Sequence, residues 1–186
     1  MDTSDPVLKQ ALGRLRAGGW DDHDPALVLL GTRQRLYRLT ARELLGEWIV
    51  STGLKGFGNR ADSGCTPTGV HRISDRIGHG AALGTVFKGR QPTGEIVAAG
   101  AGEGRDLITT RILWLDGLEP GINRGPGIDT RSRYIYIHGT PHTSLLGQAV
   151  SAGCVRMADA AVADLFDQVR VGTKMVIVET GHNETR

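Results

Sequence analysis

Two side chains in the stretch Tyr134 to Met157 have the types and spacing of a thiol nucleophile and its base: His138 and, sixteen residues later, Cys154. A free thiol ionises near pH 8.5, so only roughly 3% is thiolate at neutrality. A useful Cys nucleophile needs a neighbour that raises that fraction. An imidazole does so as base or ion-pair partner, and a helix start adds partial positive charge. Asp159 reads as the cap of the next helix, five residues beyond Cys154, too far for much dipole help, so the activation falls to His138. The second ring nitrogen must be held, or the wrong tautomer faces the thiol. No Asp or Asn lies near His138 in sequence, which leaves the Gly139 carbonyl or a group from elsewhere as orienter. Gly153 has no Cβ, so its backbone can approach a substrate carbonyl, and the Gly153 and Cys154 N–H groups are then the expected oxyanion hole.

Further residues belong with this pair. By strand parity Tyr134 and Tyr136 share a face with His138, while Ile135 and Ile137 look the other way. Pro141 and Gly147 let the chain loop out and return to Cys154. Arg156, Arg133, Arg131 and Arg72 form a candidate set for a substrate carboxylate, which Arg can hold in bidentate fashion. The bland alternative for His138 and Cys154 is a strand-end imidazole and a small buried thiol. A zinc site from His138, His142, Cys154 and Cys65 has the right ligand types, but Pro141 spoils a helical pair and no close Cys pair exists, so no metal is expected. Asp21-Asp-His-Asp24 reads as a solvated acidic turn. Gly100-Ala-Gly-Glu-Gly104 has the wrong spacing for a dinucleotide fingerprint, and no cofactor is expected.

The elements that must position these residues read as mainly β. With 27 Gly against three each of Phe, Tyr and Trp, the composition suits short strands joined by many turns. A helix from Ser4 to Ala17 carries the stripe Leu8, Ala11, Leu12 and Leu15. Strands follow at Ala26–Leu30, Gln34–Leu39, Trp48–Gly53, Pro67–Ser74, Thr85–Lys88, Leu107–Leu115 and Tyr134–Ile137, with a long Gly-rich loop at 53–66. A late helix with Val162, Leu165, Phe166 and Val169 on one face precedes a closing strand, Lys174–Glu179, and a polar tail at 181–186. Residues 1–25 thus form a helical lead-in and 26–180 one domain. The charges nearly balance, 22 Lys+Arg against 20 Asp+Glu, which argues against a nucleic-acid surface. The acidic opening Met1 to Asp5 has no secretory pattern, and the apolar run Ala26–Leu30 is too short for a bilayer, so a cytoplasmic protein without membrane insertion is expected, or a periplasmic one if a native export signal has been removed.

His138-Gly-Thr and Ser151-Ala-Gly-Cys-Val-Arg-Met157 together resemble the His … Ser-His-Gly-Cys-x-Arg/Asn signature of the L,D-transpeptidase (YkuD-type) catalytic domain. The likeness extends, in the family's order, to Gln34–Tyr37, Val50–Gly53, Thr66–Gly69, Thr110–Leu113 and Val171–Ile177, and covers roughly residues 26 to 180. It implies a mainly β, sandwich-like catalytic domain with a short N-terminal helix and one helix after the Cys. It implies an acyl-enzyme formed on Cys154 at the bond between an L-configured centre and D-Ala in a peptidoglycan stem peptide or muropeptide. His138 would be the base and Gly139 its orienter, with Ser151, Arg156, Tyr136 and Thr140 on the substrate. Passing the acyl group to water makes an L,D-carboxypeptidase of muropeptide recycling; passing it to an amine makes an L,D-transpeptidase. A non-catalytic peptide- or glycan-binding domain is the third reading. One departure stands out: the family's second imidazole is Ala152 here, with His142 the nearest substitute. Cys65 precedes a block that packs near the family's active site, so a reversible Cys65–Cys154 bridge would act as a redox lock, the alternative being an unremarkable thiol.

Overall fold

A computed structural model describes residues 5–102 and 104–179. The first helix, α1 (Pro6–Ala17), starts where the Asp5 carboxylate accepts the Val7 N–H at 2.9 Å and Pro6 takes a position that has no helical N–H bond to lose. Its stripe of Leu8, Ala11, Leu12 and Leu15 is buried. Ser4 and the tail at 181–186 lie outside the described residues.

The strands are β1 (Ala26–Leu30), β2 (Arg35–Leu39), β3 (Leu44–Ile49), β4 (Gly69–Ile77), β5 (Thr85–Lys88), β6 (Gln91–Ile96), β7 (Ile108–Gly117), β8 (Tyr136–Thr140), β9 (Val155–Ala158) and β10 (Lys174–Val178), with α2 (Asp159–Gln168) between the last two. They form one curled sheet in the order β3-β2-β1-β10-β4-β7, with β8 on β7 and β9 on β8. The β5–β6 hairpin attaches to the first residues of β7 through Val86↔Thr109 and Phe87↔Ile108. The curl closes where Ser51, just past β3, exchanges two 2.9 Å backbone bonds with Arg156 on the far edge of β9. The halves thus pack face to face around one core, a sandwich-like mainly β fold.

Burial explains the pattern. β1 is buried on both faces: Leu27 and Leu29 enter the main core with Ile73, Leu113, Ile137 and Ile177, while Ala26, Val28 and Leu30 meet α1. Each such Leu contributes about 1.5–3 kcal/mol when fully buried. α2 lays Val162, Leu165 and Phe166 into the main core.

Several local expectations change, among them the third strand, which runs over Leu44–Ile49 in place of Trp48–Gly53. β6 escapes sequence reading because Gln-Pro-Thr-Gly-Glu-Ile has no apolar alternation; it is the exposed outer strand of a hairpin, where Pro is tolerated. β9 was not expected at all, being a four-residue strand whose burial comes from pairing with β8 and Ser51. Asp159 is not a cap: Ala158 holds the cap position and Asp159 is the first helical residue, its carboxylate taken by the Thr109 and Thr110 hydroxyls. Tyr134 lies outside β8 at φ 57, since the chain turns there before entering the strand.

Candidate active site

The parallel pairing of β8 with β9 sets the site. Ile137 faces Val155 and His138 faces Arg156 across the ladder. Alternation then places Tyr136 and Cys154 on the same side as His138 and Arg156, while Ile135, Ile137, Val155 and Met157 enter the main core. On the His138 side a smaller cluster of Phe87, Ile112 and Tyr136 packs against half-buried Cys154 and Trp114. Cys154, immediately before β9, and His138 on β8 thus both turn away from the main core, and the thiol's hydrogen bonds go to the Tyr134 and Tyr136 backbone.

Their resting states follow from the surroundings. His138 is buried, and its Nδ1 lies 2.7 Å from the Gly139 carbonyl, which can only accept. Nδ1 therefore carries the proton and Nε2 presents a lone pair. Burial lowers the imidazole to about 4, against the opposing pull of that hydrogen bond, so the ring is neutral at pH 7. Burial raises the Cys154 thiol to about 11, opposed chiefly by the Tyr136 N–H, which donates to Sγ at 3.4 Å. The thiol donates in turn to the Tyr134 carbonyl at 3.5 Å. The resting pair is neutral thiol and neutral imidazole, so a thiolate forms only as its proton is removed. β9 separates Cys154 from the start of α2, so the helix dipole adds little at the thiol.

The glycines serve close packing. Gly153 has φ +124, and a Cβ there would sit 3.0 Å from the Cys65 carbonyl oxygen. The space expected to admit substrate is thus filled by the Cys65 backbone, and the Gly153 N–H is committed to Ser151 Oγ at 3.1 Å, which removes it from the expected oxyanion hole. Ser151 is buried and its hydroxyl donates to the Cys154 carbonyl at 2.6 Å; it shapes the turn before the nucleophile instead of facing a ligand. Thr66 secures the same turn by donating to the Gly153 carbonyl at 2.9 Å. Gly139 packs so closely on the Asp159 carboxylate that no side chain fits.

The arginines separate sharply. Arg156, expected on a substrate carboxylate, is buried and already paired with Asp106 at 2.7 Å. Arg131 pairs with Asp75 and Arg72 with Asp116. Arg133 alone of the four has no carboxylate within ion-pair distance among the described residues. Its guanidinium is half-buried and donates to the Cys65 carbonyl at 2.6 Å, the Gly58 carbonyl at 3.1 Å and Ser63 Oγ at 3.5 Å.

Thr140 is also buried, its hydroxyl accepting the His142 N–H at 3.2 Å, so it holds a turn. The His142 ring is engaged by the Arg105 carbonyl at 2.7 Å, which ties it to the preceding loop and not to the place of the missing imidazole. Tyr136 is buried with its OH accepting from Arg90 at 3.2 Å; Trp114 packs edge-on against it and stacks with Tyr134. Cys65 and Cys154 are both free, and their sulfurs donate to different carbonyls, Lys55 and Tyr134. Among the described residues no three His, Cys, Asp or Glu side chains group closely enough for a metal ion.

Sequence reasoning missed Asp106, Arg90 and Trp114, which lie far from the motif in sequence and reach it only through the β7 ladder or a loop, so no local spacing marks them; for Asp159, next to the motif, it missed the contact with the two threonines.

The family model described as the L,D-transpeptidase catalytic domain (YkuD) matches residues 25–177. "Probable L,D-transpeptidase YcfS" of Escherichia coli is 29% identical over 125 residues, which cover 67% of this chain and 36% of that protein. The solved structure of L,D-transpeptidase 3 from Mycobacterium tuberculosis with a faropenem-derived adduct superposes with a TM-score of 0.52 at 15% identity, over 83% of this chain and 61% of that one. An L,D-transpeptidase from Mycobacterium smegmatis gives a TM-score of 0.50 at 15% identity, over 83% and 58%. At such identities these structures speak for the fold. The chain spans about a third of the length of YcfS and about three fifths of the solved chains. With a family match from residue 25 to residue 177, the chain belongs to the L,D-transpeptidase (YkuD) catalytic domain family.

Proposed function

We propose that this domain forms a Cys154 acyl-enzyme on peptidoglycan stem peptides by cleaving the bond between an L-configured centre and the following D-Ala. His138 Nε2 takes the thiol proton as Sγ attacks the carbonyl carbon. The C–N bond breaks, and the imidazolium returns the proton to the departing amine. A neutral base with its tautomer fixed by a backbone carbonyl suits this concerted transfer better than a standing thiolate–imidazolium pair, since burial disfavours both charges. The supporting observation is proximity on one flank of the β8–β9 ladder: Cys154, the residue before β9, packs with Tyr136 and takes its N–H, while His138 two residues further along β8 has Nδ1 held by Gly139.

Water is the first acceptor in this reading, because it needs no binding site of its own. The enzyme is then an L,D-carboxypeptidase that trims tetrapeptide muropeptides, and we place that work in the cytoplasm. Aminolysis, giving cross-links or exchange of a D-amino acid, is the second reading, supported by the match to the L,D-transpeptidase catalytic domain family. Incubation with disaccharide-tetrapeptide and mass spectrometry of the products tests both. Loss of D-Ala supports hydrolysis, and incorporation of an added D-amino acid supports exchange. A wild-type protein that acquires no acyl adduct at Cys154 and releases no D-Ala is a binding domain. Fractionation of the native cell tests the location: recovery outside the cytoplasm overturns it.

A further inference from the structure

Arg156 brings a cation into the sheet beside the reactive pair, and the carboxylate that covers it comes from a different part of the chain. The Arg156 side chain is 8% exposed and stands opposite His138 in the β8–β9 register. Its Nε is buried and makes no hydrogen bond among the described residues. Asp106 meets the guanidinium at 2.7 Å with its own side chain 56% exposed, and among the described residues no other carboxylate lies within ion-pair distance of Arg156. One contact at the solvent edge thus neutralises a guanidinium that is otherwise shut inside the protein.

Asp106 is held there by the chain that joins β6 to β7. The Gly100 N–H donates to the Pro141 carbonyl at 2.7 Å, the His142 ring donates to the Arg105 carbonyl at 2.7 Å, and Arg105 pairs with Glu95 of β6 at 2.8 Å. Gly102 lies so near the His142 ring that an added Cβ would meet Cε1 at 2.7 Å. Backbone contacts therefore fix the carboxylate over Arg156. The other charged groups around the pair are engaged elsewhere: Asp159 by the Thr109 and Thr110 hydroxyls, Arg90 by the Tyr136 OH, and Arg133 by the Gly58 and Cys65 carbonyls. The charges of Asp106 and Arg156 both reach Cys154 in opposite senses, the carboxylate holding the proton on sulfur and the guanidinium drawing it off.

We propose that Asp106 is a positioning residue acting through Arg156: its carboxylate cancels the guanidinium beside the nucleophile, so that Cys154 keeps its proton until His138 removes it during attack on substrate. The role in attack rests on the acyl-enzyme reading. A bare buried cation would favour a standing thiolate, open to any electrophile that reaches it. With the cation covered, the thiol reacts where a carbonyl and the base meet it together. The chain between β6 and β7 thereby sets the selectivity of a sulfur that it does not touch.

Iodoacetamide alkylation of Cys154 at pH 8, read by peptide mapping so that Cys65 is counted separately, reports the thiolate fraction without any acyl transfer. Asp106→Asn uncovers the cation and should speed alkylation about tenfold, the effect of one pKa unit, and Asp106→Glu should return it close to wild type. Arg156→Met leaves the carboxylate alone and should slow alkylation severalfold. Loosened packing cannot give that result, since an exposed thiol reacts faster. The double variant Asp106→Asn/Arg156→Met loses both charges and should react about as wild type does. Melting curves check folding; should the bare cation unfold Asp106→Asn, Arg156→Met and the double variant carry the test. Alkylation that Arg156→Met fails to slow, or that is tenfold faster in the double variant, overturns the proposal. Acylation of the wild-type protein by tetrapeptide is followed in parallel by intact mass. Its failure sinks the acyl-enzyme reading, while the alkylation series stands or falls by itself.

Discussion

His138 and Arg156 stand directly opposite each other on adjacent parallel strands, and the Arg156 guanidinium is closed off by Asp106 at 2.7 Å. This ion pair acts on both reactive groups: Arg156 lowers and Asp106 raises the imidazole, and they act in the same directions on the thiol. The two effects oppose each other, so burial dominates and both reactive groups rest neutral. The arginine of the motif therefore belongs to an internal pair that leaves the base uncharged.

Cys154→Ala should abolish acylation, and His138→Gln should slow it by about 10²–10⁴-fold, the usual weight of a positioned base. Single-turnover intact-mass measurement with tetrapeptide reads both. Undiminished acylation of Cys154→Ala removes the nucleophile assignment.

The pH dependence of kcat/KM should lack an acid limb near 6.5. With the imidazole lowered to about 4 by burial, the base stays unprotonated down to that pH. With the thiol raised to about 11, no thiolate plateau is reached near pH 8. The profile should be flat between about pH 5 and 8 and fall only below that range. A bell centred on neutrality would show a charged resting pair instead.

Stability should also decline in mild acid. His71 and His138 are both buried and lowered to about 4, in each case chiefly by burial; His71 is held between the Gly69 carbonyl at 3.0 Å and Thr130 Oγ1 at 3.1 Å. An unfolded His binds its proton near pH 6.5, whereas the folded one resists until about 4, so the unfolded state gains protons first as pH falls. Stability is fully present above pH 6.5 and is lost progressively down to about 4, by at most roughly 3 kcal/mol for each His. Denaturant titrations at pH 7.5 and 5 should differ accordingly. His71→Gln should reduce the slope if it folds, and an unchanged slope would remove His71 from the account.

Gly153→Ala should destabilise the fold by about 1–3 kcal/mol, since the added Cβ faces a positive φ and the Cys65 carbonyl oxygen 3.0 Å away. A melting curve measures this. A variant as stable as wild type would mean that the 63–66 loop yields freely, and that Gly153 is there for substrate access after all.

The sequence by itself determined the mainly β fold, the two helices and most of the strands, and it marked Cys154 and His138 as the candidate pair. Those features are written locally: alternation marks a strand, a stripe such as Leu8 to Leu15 marks a helix, and the motif is short enough to read in one pass. The Gly139 carbonyl was legible too, because it adjoins the ring it holds. Only the tertiary structure decided what surrounds the pair. Asp106 reaches Arg156 from fifty residues upstream, Cys65 fills the space beside Gly153, and Asp159 is drawn from its cap to two threonines of β7. Each choice depends on which strands become neighbours when the sheet curls and closes through Ser51 and Arg156. Long-range contacts of that kind leave no periodicity in the chain, because it is burial and mutual desolvation, and not spacing, that select the partner.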